Sequence, residues 1–221
     1  MMKRFIDKIG KTLCDFLFTV HCPYCGKVIM RNEYACEKCK KHFPEKSIIR
    51  YAAGGYKCAV PFPYLDCYKK AIAKFKFGNC GNYAKQLAFM IVIAVNEVYG
   101  NKHFDIITCV PIHKNAVRKR GYNQAELLAR ECAEIMGIEY VDVLEKFKEN
   151  KTQHSIKAAE RAKNVKGVYR ICDEEIAYGK NILIIDDIIT TGNTLGECAE
   201  TITKAGCSGV SCAALCAVMF S

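Results

Sequence analysis

Residues Asn181–Leu195 read NILIIDDIITTGNTL, and their order decides the fold class. The run Ile182–Ile185 is apolar throughout. About four to eight such residues predict a strand buried on both faces, as in a parallel sheet. The run ends in Asp186 and Asp187. Two acids at the carboxyl end of a parallel strand face the crevice where open α/β sheets take up ligands. Packing alone does not account for them, because adjacent carboxylates repel each other and lose hydration there. Thr190-Thr191-Gly192-Asn193-Thr194 follows, rich in hydroxyls, with one Gly that lets the backbone come close to a ligand. A helix is predicted over Thr194–Ala205, and its first N–H groups are free to meet an anion. Carboxylates for hydroxyl groups, together with an amide-and-hydroxyl nest for phosphate, describe a site for a sugar phosphate.

The same residues, in the same order and spacing, resemble the ribose-phosphate signature of type I phosphoribosyltransferases, which bind phosphoribosyl pyrophosphate (PRPP). The resemblance implies that Asp186 and Asp187 hold the ribose hydroxyls and that Thr190–Thr194 holds the 5′-phosphate.

Two hundred and twenty-one residues allow one α/β domain and a small addition. No run of about 18 apolar residues occurs, so no membrane span is predicted. In residues 1–20, Phe5, Ile6, Ile9, Leu13, Phe16 and Leu17 fall at helical spacing, with Asp7 and Asp15 between them. That pattern predicts an amphipathic helix rather than a secretory signal. Fifteen cysteines without regular disulfide spacing point to buried reduced thiols and a cytoplasmic location. The formal net charge is +10, and it is unevenly placed. Lys and Arg outnumber Asp and Glu by 11 to 5 in residues 1–50 and by 6 to 2 in residues 51–100, whereas residues 101–221 are balanced at 16 each. A basic first half suggests an anionic partner such as single-stranded nucleic acid, although solvated lysines give the same count.

Cys22-Pro-Tyr-Cys25-Gly and Cys36-Glu-Lys-Cys39 make a C-x2-C-x10-C-x2-C pattern. Each pair aims two thiolates at one point, and four sulfurs complete a tetrahedral structural Zn²⁺ site. His21 and His42 flank the ligands as neighbours. A first unit, residues 1–50, therefore holds the N-terminal helix and a zinc module that folds on its metal. The second, residues 51–221, is an α/β domain with its own core. Tyr24, Tyr34 and Phe43 of the first unit are candidates for stacking on bases.

A strand or hairpin is predicted near Tyr56–Tyr64, a helix over Asp66–Phe77 ended by Gly78-Asn79, and a buried helix over Tyr83–Tyr99. Lys74-Phe-Lys-Phe-Gly78 forms a small basic-aromatic patch. Asp105–Pro111 predicts a second buried strand, followed by a loop from His113 to Gln124 and a helix over Gln124–Met136. Arg118, Lys119 and Arg120, with Gly121 next, are placed in that loop to meet an anion such as pyrophosphate. Asn123 and Gln124 bring neutral donors and acceptors to the same region.

RKRGYNQAELLA after a VPIH strand end, the four-cysteine module before it, and QHSIKAAERAKNVKGVY after it resemble the ComF family. These are late-competence proteins with a zinc-ribbon module and a phosphoribosyltransferase-like domain. The resemblance implies an α/β fold whose parallel sheet is flanked by helices and preceded by the ribbon. It also places Gln153, Arg161 and Asn164 in a segment near the mouth of the site. The family often has Thr three residues before that Gln, where this chain has Asn150. Lys146–Lys166 is rich in charged and amide side chains without an apolar period, as expected of a mobile surface element.

If PRPP binds, a nitrogen nucleophile can displace pyrophosphate at the anomeric carbon. Arg118, Lys119 and Arg120, with Mg²⁺, would compensate the leaving group, and the two acids would position the ribose. Thr190 stands where transferases for 6-oxopurines usually carry an acid, which argues against that substrate class. Three functions remain open. One is a DNA-uptake accessory protein contacting single-stranded DNA, a competence helicase or other uptake proteins. The others are an active phosphoribosyltransferase in salvage or modification and a PRPP or nucleotide sensor without turnover.

Overall fold

The computed structural model describes residues 19–77, 83–148 and 167–219. The predicted N-terminal amphipathic helix, the Gly78-Asn79 stop, Asn150, Gln153, Arg161 and Asn164 lie outside these residues, as do the side chains of Lys119 and Arg120.

Burial on both faces demands a central place in a sheet, and β10 (Asn181–Ile189) has it. It lies between β11 (Gly209–Ala217) and β6 (Ile106–Cys109), both parallel to it. The full order is β3-β4-β11-β10-β6-β7, with β5 (Phe62–Pro63) beside the end of β11. Here β3 is Ile48–Tyr51, β4 is Lys57–Val60 and β7 is Glu139–Tyr140; only β3 runs antiparallel. Within the predicted Tyr56–Tyr64 lie the strands β4 and β5, and β4 pairs with an edge strand, β3, that was not predicted. The strand β11 was not anticipated: its small residues, Ser, Cys and Ala, lack the bulky apolar run that marked its neighbour.

Alternation along β10 assigns its residues to two cores. Leu183 and Ile185 pack with helices α2 (Asp66–Phe77), α3 (Ala84–Tyr99) and α5 (Gln124–Met136), where Phe75, Leu87, Ile91 and Leu128 are fully buried. Ile182 and Ile184 pack with Leu195, Cys198 and Ile202 of α7 (Asn193–Lys204) and with Tyr169 of the antiparallel pair β8 (Leu144–Lys146) and β9 (Tyr169–Ile171). Each such side chain contributes about 1.5–3 kcal/mol on burial. A short helix, α6 (Glu174–Ala177), joins β9 to β10.

The predicted cation loop is instead a helix, α4 (Lys114–Arg120). The stretch KNAVRKR is made mostly of good helix formers. Its start is capped by His113 Nδ1, which accepts from Asn115 N, and its end by Gly121 at φ 84°. Reading the cations alone hid this local preference.

The cysteine module is a small ribbon: β1 (Val20–His21) pairs with β2 (Val28–Ile29), and α1 (Glu37–Lys40) follows. It does not have a core to itself. Cys22, Tyr24, Ile29, Ala35 and Cys36 belong to the same cluster as Phe62, Tyr68, Leu87 and Leu183. The Tyr24 ring meets Phe43 at 4.9 Å and Phe62 at 5.6 Å, and Tyr34 stacks on Phe89 at 4.8 Å. The expectation that Tyr24, Tyr34 and Phe43 stack on bases is therefore corrected: these rings join the ribbon to the sheet. One of the sheet's two cores is thus shared with the ribbon, while the other, around Ile182 and Ile184, contains none of the ribbon's buried residues. Cys58, Cys109, Cys132, Cys198, Cys212 and Cys216 are buried free thiols, as expected.

Candidate functional site

In the ribbon, Gly26 at φ 81° turns the chain after Cys25, and Gly26 N donates to Cys22 O at 2.8 Å. Cys39 N donates to Cys36 O at 2.9 Å, which closes the second turn. The thiols of Cys22, Cys25, Cys36 and Cys39 all lie within 4.8 Å of one another. Four soft sulfurs this close suit Zn²⁺ and close its shell; such a group would be structural. Neither His21 nor His42 belongs to the cluster.

At the sheet, β10 does not stop at its acids. Asp186 pairs with Ala214, and pairing continues to Ile188 with Cys216 and Ile189 with Ala217. The reason is the equal length of β11, which keeps offering partners beyond the acids. Adjacent residues inside a strand point to opposite faces, so the two carboxylates separate. Asp187 faces α2, where Lys76 Nζ lies 2.7 Å from its Oδ2. Burial pushes up the thiol of Cys198 on α7 and the hydroxyl of Tyr169 on β9, and the charge of nearby Asp186 adds to both. Its own carboxyl is pushed up to about 8 by burial first and the Asp187 charge second. The backbone N–H of Asp187, 2.8 Å from Asp186 Oδ1, offsets this in part.

The loop after β10 leads into α7 through Gly192, at φ 77°. A Cβ there would lie 2.7 Å from Ala52 Cα, so glycine is demanded by the β3–β4 turn as well as by the backbone angle. Ala53 N donates to Gly192 O at 3.2 Å and fixes the same contact. No side chain caps the start of α7. Its first N–H groups, with the half-buried Thr190, Thr191, Asn193 and Thr194 around them, form the positive end of a twelve-residue helix.

The strand β6 ends beside β10 just before the acids: Cys109 pairs with Ile185, and Val110 N donates to Ile185 O at 3.0 Å. The exposed Arg118 and the backbone of Lys119 and Arg120 follow on α4. Asn123 and Gln124 are buried with protein partners. Asn123 caps α5 through Ala125 N and donates to Val110 O at 3.1 Å. Gln124 Nε2 donates to Lys76 O at 3.4 Å.

The phosphoribosyl transferase domain family matches residues 91–219, more than half of the chain. Competence protein F of Haemophilus influenzae is 26% identical over 192 residues, covering 84% of this chain and 80% of that protein. DNA utilization protein YhgH of Escherichia coli is 25% identical over 200 residues, 88% of this chain and 83% of that protein. Competence protein ComFC of Bacillus subtilis is 27% identical, covering 84% of this chain and 72% of that protein. The chain is a ComF-family member of the phosphoribosyl transferase domain family. Among solved structures, the PRPP amidotransferase of B. subtilis matches at a TM-score of 0.44 and 18% identity over 64% of this chain, which spans 30% of that enzyme. Adenine phosphoribosyltransferase of Thermoanaerobacter pseudethanolicus matches at 0.38 and 15%, over 60% of this chain and 66% of that one.

Two residues of this ComF-family site escaped the sequence reading. Lys76 was visible only as one cation in a patch, and nothing local announces a partner 111 positions away. Arg50 donates through Nη1 to Val218 O at 2.7 Å and through Nη2 to Thr190 O at 3.2 Å, tying β3 to the start of the loop. A divalent cation does not fit the acid pair as it stands. Its carboxylates diverge, Lys76 occupies one of them, and burial holds a proton on the other.

Proposed function

We propose that this ComF-family protein binds PRPP or a nucleotide at the carboxyl edge of its sheet and acts in DNA uptake during natural transformation. The observation that carries the ligand reading is one juxtaposition. Parallel β10 and β6 end at the same edge of the sheet, where β10 leads through its two acids to the uncapped start of α7 and β6 leads to α4. The ribose hydroxyls would meet Asp187, the ionised acceptor, while Asp186 would brace the strand end behind it. The 5′-phosphate would sit on the N–H groups and hydroxyls of Thr190–Thr194, and Arg118, Lys119 and Arg120 would face further phosphates. Gly121, Asn123 and Gln124 would hold α4 and α5 in register with that ligand. Calorimetry with PRPP, ribose 5-phosphate and AMP tests this reading; heat from none of the three rejects it.

The DNA reading is supported by the names of the similar proteins, one a competence protein and one a DNA utilization protein. It is also supported by the basic first half of the chain. Zinc in the four thiols would fix the ribbon, and exposed Lys27, Lys38 and Lys41 on it would face single-stranded DNA phosphates or an acidic partner such as an uptake helicase. Triple replacement of these lysines by alanine is the clean test, because deleting residues 1–50 also removes part of the shared core and β3. Salt-sensitive binding that falls in the triple variant supports the assignment, and equal binding rejects it.

A second reading, transfer of the phosphoribosyl group to a nitrogen acceptor, is favoured by the presence of both the acids and the α4 cations. Pyrophosphate release with some member of a nucleobase panel selects it. Binding without release selects the accessory or sensor role.

A further inference from the structure

We propose that Lys76 is the built-in counter-ion of the ribose-phosphate site. In this inference its ammonium takes the place at Asp187 that a divalent cation takes at an acid pair, so that the ligand binds without metal. The second half of this statement rests on the reading of the site given above; the first half does not.

The contact is short, 2.7 Å, and both partners are largely withdrawn from solvent, with side-chain exposures of 20% for Lys76 and 15% for Asp187. The pairs Lys40–Glu37, Arg130–Glu126, Arg170–Glu145 and Lys204–Glu200 each have a partner more than half exposed. Exposed pairs of that kind contribute little, whereas a sheltered pair keeps most of its attraction.

Lys76 is also fixed from behind. The Tyr122 hydroxyl donates to the Phe75 carbonyl, and Gln124 Nε2 donates to the Lys76 carbonyl. Both donors stand at the start of α5, directly after α4. The last turn of α2 is therefore locked to the segment that follows β6, and the ammonium is delivered to β10 from a fixed backbone. A cation at that end of α2 also opposes the helix dipole.

A divalent cation needs several oxygens converging on one point. Asp186 and Asp187 cannot converge, because β10 runs through both and turns them to opposite faces. What remains at Asp187 is a single carboxylate already neutralised by Lys76. Removing the ammonium would leave a sheltered carboxylate without its counter-ion.

The test uses the full zinc-loaded chain and Mn²⁺ as a paramagnetic probe. Wild type should take up no Mn²⁺ at Asp187 in titrations followed by electron paramagnetic resonance. Lys76→Met should take up none either, because a single carboxylate remains where a divalent cation needs several oxygens. Lys76→Arg should behave as wild type. Mn²⁺ uptake by either protein that Asp187→Asn abolishes overturns the assignment.

A second arm uses ribose 5-phosphate in buffers with and without Mg²⁺. Wild type should bind equally in both. Lys76→Met should bind about tenfold more weakly in both, and recovery with Mg²⁺ contradicts the misfit of a divalent cation. Wild-type binding that requires Mg²⁺ contradicts metal-independence. Silence of wild type in both buffers rejects the ribose-phosphate reading and with it metal-independent binding, while the Mn²⁺ arm still decides the role of Lys76.

Discussion

The ribbon thiols and the β10 carboxylates are both groups of ligands close in sequence, and the fold treats them in opposite ways. Cys22, Cys25, Cys36 and Cys39 sit on turns, and their sulfurs converge to within 4.8 Å. Asp186 and Asp187 sit inside a strand, with Asp187 at Lys76 of α2 and Asp186 near Cys198 of α7 and Tyr169 of β9. Turns fold neighbours toward a common point, whereas a strand separates them by alternation. The difference teaches that nearness in sequence signals a shared ligand only when the backbone between the residues is known. It also explains why the thiols call for an external cation, while the site at the sheet carries its own in Lys76.

The largest expected effect breaks the ribbon. Cys36→Ser, or removal of zinc, should lower the stability of the whole chain by several kcal/mol, since metal binding at such sites contributes on the order of 10 kcal/mol to folding. Because Tyr24 and Cys22 share a core with Leu87 and Leu183, thermal unfolding should remain a single, shifted transition. A separate early transition with the sheet unchanged would break the shared-core account.

Next comes the hinge between loop and turn. Gly192→Val should destabilise by about 3 kcal/mol, combining an unfavourable backbone angle with an overpacked contact to Ala52. Denaturant unfolding measures it. A variant of normal stability that has lost only ligand binding would mean that phosphate, not Ala52, imposes glycine.

Acidity sharpens the contrast between the two carboxylates. The folded pKa of Asp186, about 8, lies above its unfolded value near 4. The folded state therefore holds the proton more tightly. The stabilisation is full below about pH 4 and is lost as pH rises toward and through about 8. Wild type should thus be less stable at pH 9 than at pH 6, and Asp186→Asn should show a smaller drop. Equal slopes in urea titrations of the two proteins would remove burial as the cause.

A smaller change is expected from Arg50→Met, which loses two hydrogen bonds, to Thr190 O and Val218 O. A cost of about 1–3 kcal/mol follows, with weaker ligand binding as the loop loosens.

Much of this was legible because it depends on local pattern. The helices Asp66–Phe77 and Gln124–Met136 match their predicted bounds, since each has a clear apolar period, and the second also has Asn123 as cap and Gly137 as stop. The cysteine spacing announced the thiol cluster. The divergence of the acids was not legible, because it depends on β11 being long enough to carry β10 past them. Nor was the pairing of Lys76 with Asp187, or the shared core under Tyr24: both join residues far apart in sequence. The helix α4 was missed for a different reason, attention to charge over propensity.

The central claim is that the end of β10 and the start of α7 form a ribose-phosphate site. Calorimetric titration of ribose 5-phosphate into the zinc-loaded wild type and into Asp187→Ala tests it most directly. The account predicts one site per chain, weakened in the variant by about 1.5–3 kcal/mol, the range for a hydrogen bond to a charged group. Equal affinity in the two proteins, or no heat in either, would contradict it.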